Sequence, residues 1–181
     1  MISTGKPKIN FDALKELFWA VHKAFLKNHR ELLDGDLSER CLCGALMYEL
    51  NKQLEMNEYN NYYVDVEFNK VGKKEKCIKL LPDNEGTLKR IFTDIIVHSR
   101  GQARPDNLIA LEMKKSRAKK LSRENDRERL MQLTKQDVFF NNRYIYRYKL
   151  GIYYEIDLKK EEILVEFYQD GSKAEEKVSK F

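Results

Sequence analysis

The segment Asn107-Leu108-Ile109-Ala110-Leu111-Glu112-Met113-Lys114 ends an apolar run on a carboxylate and an ammonium. Read as a strand, it puts Ile109, Leu111 and Met113 on one face and Leu108, Ala110, Glu112 and Lys114 on the other. Glu112 and Lys114 then project side by side where the strand leaves the core. The preceding apolar segment, Arg90 to His98, carries Asp94 immediately before Ile95-Ile96-Val97. A hairpin centred near Gln102 or Ala103 brings Asp94 opposite Leu111 or Glu112. Two carboxylates that close repel, raising one pKa, unless a cation holds both ionised. A hard, oxygen-seeking ion such as Mg²⁺ is the natural occupant.

Glu39 adds a third carboxylate. At 100° per residue, Leu42, Cys43, Leu46, Leu50 and Leu54 lie within about 60° of its direction. An ionised group on an apolar stripe is seldom left unpaired. With Asp36 as N-cap, Glu39 would instead complete a capping box, and position alone leaves both roles open. Glu67 sits on the polar face of its strand without a convergent partner in the spacing. Cys41 and Cys43 diverge by about 200° on a helix and make no zinc clip. His22, His29 and His98 are too scattered for a metal triad. Tyr144, Tyr146, Tyr148, Tyr153 and Tyr154 fit strand packing better than base stacking.

The elements that must position these residues follow from periodicity. Phe11, Leu14, Phe18, Val21 and Phe25 predict a helix with Asn10 as N-cap, broken at Asp34-Gly35-Asp36. A second helix is expected over 37–56. Tyr62, Val64, Val66 and Phe68 alternate as one face of a strand, and Cys77 to Leu81 suits a short edge strand. Strands are expected over 90–98 and 107–115, around a loop holding Gly101 and Pro105. A helix over 126–134 has Asn125 and Glu128 spaced as a capping box, and strands over 144–157 and 163–168 follow. The order reads helix, helix, three or four strands, helix, two strands, an α/β domain spanning 1–181 with ends at 1–9 and 170–181 expected to fray.

Composition agrees with one core. The 181 residues are 42% hydrophobic with ten Tyr and nine Phe, ample apolar surface to bury. No apolar run approaches the ~20 residues of a membrane span. The first ten residues lack a secretory apolar stretch. Three cysteines at no disulfide spacing point to a reducing cytoplasm. The net charge of +5 decides little, but Lys114 to Arg129 holds eight basic residues against three acidic ones. Such a stretch is either a solvated face or a track for phosphates.

Asp94, followed on the next strand by Glu112-Met113-Lys114 and preceded by a helix bearing Glu39, resembles the PD-(D/E)XK nuclease superfamily. A closer likeness, through Ser38-Glu39-Arg40, Tyr63 to Asn69, Asp94 to His98, Asn107 to Lys115 and Asp126 to Thr134, is to small stand-alone bacterial nuclease-like proteins. It runs from Ser38 to about Ile156, 119 of 181 residues, with Thr93 where the motif has proline. The resemblance implies a restriction-endonuclease-like domain: a central mixed sheet flanked by helices, core order α-β-β-β-α-β, plus an extra N-terminal helix. It implies phosphodiester hydrolysis of nucleic acid, DNA in the first instance, with Mg²⁺ as cofactor and Mn²⁺ as substitute. Asp94, Glu112 and the Met113 carbonyl would be ligands, Lys114 would orient water or stabilise charge, and Glu39 would complete the site. Lys115, Arg117, Lys119, Lys120 and Arg123 would then contact phosphates. A homodimer is compatible with this reading. A non-cleaving nucleic-acid-binding domain and a protein-interaction module are the alternatives.

Overall fold

Asn10, in extended backbone, accepts from the Ala13 N–H at 2.9 Å and starts helix α1, Phe11–Asn28. The computed structural model describes residues 9–57, 59–68, 70, 71, 74, 75, 77, 78, 89, 90, 92–136 and 146–181. α1 buries Leu14, Leu17, Phe18, Val21, His22 and Phe25. The short α2, Arg30–Asp34, follows, and then α3, Glu39–Met56. Ser38, not Asp36, caps α3 by accepting from the Cys41 N–H. Glu39 is therefore the first helical residue and cannot close the capping box that sequence spacing allowed.

The strands are β1 (Tyr63–Phe68), β2 (Lys70–Val71), β3 (Lys74–Glu75), β4 (Cys77–Ile78), β5 (Lys89–Arg90), β6 (Thr93–His98) and β7 (Asn107–Lys115). After helix α4 (Lys120–Thr134) come β8 (Leu150–Asp157), β9 (Glu162–Gln169) and β10 (Ser172–Lys180). Six of them form one sheet in the order β1-β6-β7-β8-β9-β10. Every pair in it is antiparallel except β7–β8, whose parallel pairing needs the α4 crossover. One face packs α1 and α3 through Phe18, Phe25, Leu46, Leu50, Leu111 and Tyr154. The other packs α4 through Leu130 and Leu133 against Ile96, Ala110, Tyr153 and Tyr168. Gly151 lets α4 lie close, since a Cβ there would sit 2.9 Å from Thr134 Cγ2 and 3.0 Å from Tyr168 Cβ.

Several boundaries differ from expectation for physical reasons. α4 starts six residues earlier than the expected 126, and within the added turns Arg123 binds Glu155 on the sheet. The segment 170–181 is not frayed: β10 pairs along β9, and Lys15 reaches Glu175 at 2.6 Å. It reads as polar because it is an exposed edge strand, where charges oppose further pairing. Val66 is 45% exposed, so only part of the β1 alternation faces the core. Residues 146–149 precede β8 as a loop, with the Tyr148 N–H on the Leu133 carbonyl. Residues 1–8, Tyr144 and most of the Cys77–Leu81 segment lie outside the described residues, as does the Glu67 side chain. Among the described residues no helix is long and apolar enough to cross a membrane.

His22 links α1 to β8 and β10. Its ring is within hydrogen-bond reach of the Tyr154 hydroxyl at 2.9 Å and the Ser179 hydroxyl at 3.0 Å. Burial, helped by Lys177 and Lys23, lowers its pKa to about 4. The neutral ring thus stabilises the fold above its ordinary pKa, and that contribution is lost as pH falls from about 6.5 towards 4. The loss is about 1.4 kcal/mol per pH unit, roughly 3 kcal/mol in full. In urea titrations, the gap in unfolding free energy between parent and His22→Gln should shrink from neutral to acid pH. A constant gap would mean that the ring does not titrate with folding.

Candidate active site at the free edge of β7

The β6–β7 ladder ends at Ile95↔Leu111, and continuing its register sets Asp94 opposite Glu112. Beyond that point the edge of β7 is capped by side chains. Asp94 Oδ2 accepts from the Met113 N–H at 2.8 Å. Two residues on, along the same edge, Glu39 Oε1 accepts from the Lys115 N–H at 2.9 Å. Carboxylates from β6 and α3 thus converge on neighbouring amides of one strand. Within a strand a residue's N–H and C=O point to the same side, so the Met113 carbonyl shares this edge.

Glu112 and Lys114 leave the strand towards α4. Glu112 is fully buried, with Arg129 Nη1 2.8 Å from its Oε1, yet neither of its oxygens has a hydrogen bond of good geometry. Burial pushes its carboxyl well above the usual range; Arg129 opposes this, and Asp94 and Asp126 reinforce it. Lys114 Nζ lies 3.2 Å from Asp126 Oδ2 and 3.5 Å from Glu39 Oε2. Burial works against its charge, but Asp126, Asp94 and Glu39 outweigh that and raise its pKa. Asp126 also pairs with Arg129 at 3.1 Å. Burial lifts the Asp126 carboxyl too, against Lys114 and Arg129.

Of the residues expected from sequence, Asp94, Glu112, Met113, Lys114 and Glu39 come together. Asp126 and Arg129 were missed. Their signal was the one used for Glu39: charges beside Leu130 and Leu133 on the buried side of a helix. The basic stretch is not a continuous cationic surface. Lys115 and Arg117 hold Asp36, Arg123 holds Glu155, and Arg127 holds Glu166. Lys119 and Lys120 are exposed, with Lys120 3.7 Å from Glu124 one turn along. His98 lies at the far end of β6 from Asp94, 2.7 Å from Asp65, which also takes two hydrogen bonds from Arg100. Cys41 is exposed and Cys43 buried, as their divergence on a helix requires. Burial, with Asp94, Glu112 and Glu39 nearby, pushes the Cys43 thiol up and makes it a poor nucleophile.

Asp94 and Glu39 open into a cleft of about 860 Å³, floored by Cys43, Gly44, Met47 and Val66. A Cβ on Gly44 would meet nothing within 4 Å. Gly44→Ala should therefore stabilise α3 by up to about 1 kcal/mol. Gly44→Phe should fill the cleft and weaken ligand binding at unchanged thermal stability. Equal binding by the Phe variant, measured by anisotropy, would show that the cleft is not used.

Among the described residues no group of three or more His, Cys, Asp or Glu side chains is gathered tightly enough to hold a metal ion. The expected set is smaller: two carboxylates and a backbone carbonyl, which suits Mg²⁺ because that ion keeps several waters. Asp94 on the cleft, the Met113 carbonyl on the same edge and the buried Glu112 carboxyl are oxygen donors of the kind such a hard cation takes, although Glu112 faces Arg129 rather than the cleft. Comparison of the chain with protein-family models, curated proteins and solved structures finds no match.

Proposed function

We propose that the chain is a Mg²⁺-dependent nuclease that hydrolyses phosphodiester bonds, with DNA as substrate, on a restriction-endonuclease-like core. The convergence of Asp94, Glu112, the Met113 backbone and Lys114 at one strand end, with Glu39 across the edge, carries this reading. The run α3-β1-β6-β7-α4-β8 with a parallel β7–β8 pair supports it, since the resemblance to PD-(D/E)XK nucleases implies that core.

Asp94, Glu112 and the Met113 carbonyl would hold the metal, which when bound polarises the phosphate and lowers the pKa of its water. Lys114 is an electrostatic partner rather than a base. Its carboxylate neighbours keep the ammonium protonated, so it donates hydrogen bonds to charge developing on the phosphate oxygens. Asp126 fixes that ammonium from α4. Glu39 keeps the Lys115 amide occupied and lends its second oxygen to the site.

The test is cleavage of a panel of DNA and RNA substrates in Mg²⁺ and in Mn²⁺, with chelator and Glu112→Ala as controls. Metal-dependent cleavage that is lost in Glu112→Ala is expected. The placement of Arg129 on Glu112 favours one other reading, a domain that binds nucleic acid without cutting it. Binding without cleavage in either metal would select that second reading.

A further inference from the structure

Lys115 and Arg117 stand in the wall between two cavities. They line the cleft that holds Glu39 and Asp94, and they also line a second cavity of about 610 Å³. That second cavity lies between α2 and the β8–β9 turn, with Leu33, Lys159, Lys160 and Phe181 among its walls. Between the two cations sits the Asp36 carboxylate. Its Oδ1 accepts from Lys115 Nζ, and its Oδ2 accepts from Arg117 Nη1 at 2.8 Å. Two oxygens of one anion, each held by a different cation, is how the non-bridging oxygens of a phosphodiester are gripped. Lys115 Nζ is anchored further by the Asp36 carbonyl at 3.2 Å, and its side chain is only 7% exposed. The Asp36 side chain, by contrast, is 46% exposed. Asp36 lies in the link between α2 and α3 with φ of 48°, a left-handed conformation that non-glycine residues seldom hold.

We infer that Lys115 and Arg117 form a seat for a nucleic-acid phosphate adjoining the reacting one, and that Asp36 occupies this seat until substrate displaces it. The seat adjoins the proposed chemistry through Glu39, which accepts from the Lys115 N–H and lies 3.5 Å from Lys114 Nζ, and through the cleft that Lys115 and Arg117 share with Asp94. The inference rests on the nuclease reading for its ligand. It adds that the chain carries its own competitor for one phosphate, which accounts for cations that look neutralised beside an open cleft. Displacement needs only the exposed Asp36 side chain to swing away.

The experiment is a salt titration of binding to a fluorescent DNA duplex in Ca²⁺, read by anisotropy, for the parent, Asp36→Asn and Asp36→Gly. Asn and Gly both accept the left-handed backbone, so the carboxylate is lost without added strain. Thermal melting checks the fold. Asp12→Asn, an exposed carboxylate on α1, controls for net charge alone. Both Asp36 variants should bind about three- to tenfold tighter, with the log–log salt slope steeper by about one to two units as freed cations meet phosphates. Adding Arg117→Ala to Asp36→Asn should return affinity to the parent's or below. Asp36 variants that bind no tighter than Asp12→Asn, or a parent and variants that do not bind DNA, would overturn the seat. Tighter binding without Mg²⁺-dependent cleavage by any variant would instead remove the nuclease reading and leave the seat standing.

Discussion

Asp94→Asn should lower Mg²⁺-dependent cleavage at saturating substrate by at least about 10²–10³-fold, the usual scale for losing one group that stabilises transition-state charge. Asparagine has nearly the size of aspartate, and its side-chain oxygen can still accept from the Met113 N–H, so the free edge of β7 stays capped. What it loses is the negative charge, which would serve a bound cation and also supports the charged forms of Lys114 and Arg129. With the edge capped, thermal stability should stay near the parent's while the single-turnover rate collapses. Glu39→Gln likewise keeps its bond from the Lys115 N–H, and a fall of only about 10–100-fold is expected for a group acting from the margin of the site. Parent-like cleavage by Asp94→Asn would locate the reaction elsewhere.

Strand alternation and a short loop narrow the partner of Asp94 to Leu111 or Glu112. The bulge between Val97 and His98, which shifts the register by one and selects Glu112, leaves no mark in the sequence pattern. β7 runs over the expected 107–115, being apolar on both faces until its end. What else could not be read depends on partners distant in the chain. A count of eight basic residues says nothing of Glu155 and Glu166, which wait on β8 and β9, nor of Asp36 before α3. The Arg123–Glu155 pair lies in the turns that carry α4 back to Lys120, past an Asn125–Glu128 pattern that satisfies local capping rules and is nonetheless helix interior. β10 escaped detection because an edge strand needs backbone partners more than an apolar face. Glu39 shows the reverse case. A local role and a distant one were both open, and Ser38 took the cap, freeing Glu39 for the sheet.

The largest effect on stability should come from Arg129→Met. The Arg129 side chain is 18% exposed and serves two carboxylates, Glu112 and Asp126, which are 1% and 5% exposed. Methionine keeps much of the apolar stem's packing while deleting the charge. Glu112 is then left without a cationic partner among the described residues, whereas Asp126 keeps Lys114. Breaking a buried pair from one side costs up to about 3–5 kcal/mol, and Glu112, its carboxyl already raised by burial, relieves part of that by taking up a proton. Urea denaturation at neutral pH should show that loss. The double variant Arg129→Met/Glu112→Gln should recover much of it, because the orphaned carboxyl is gone too. Mg²⁺ gives the discriminating arm. If Glu112 and Asp94 accept the ion, it takes over the role of the missing guanidinium and stabilises Arg129→Met, by about 2.7 kcal/mol at a hundredfold excess over Kd. The parent should gain less at the same concentration, because Arg129 already neutralises one ligand and repels the incoming charge. Equal gains would separate Arg129 from the metal, and no gain in either protein would leave Glu112 bound to Arg129 for structure alone.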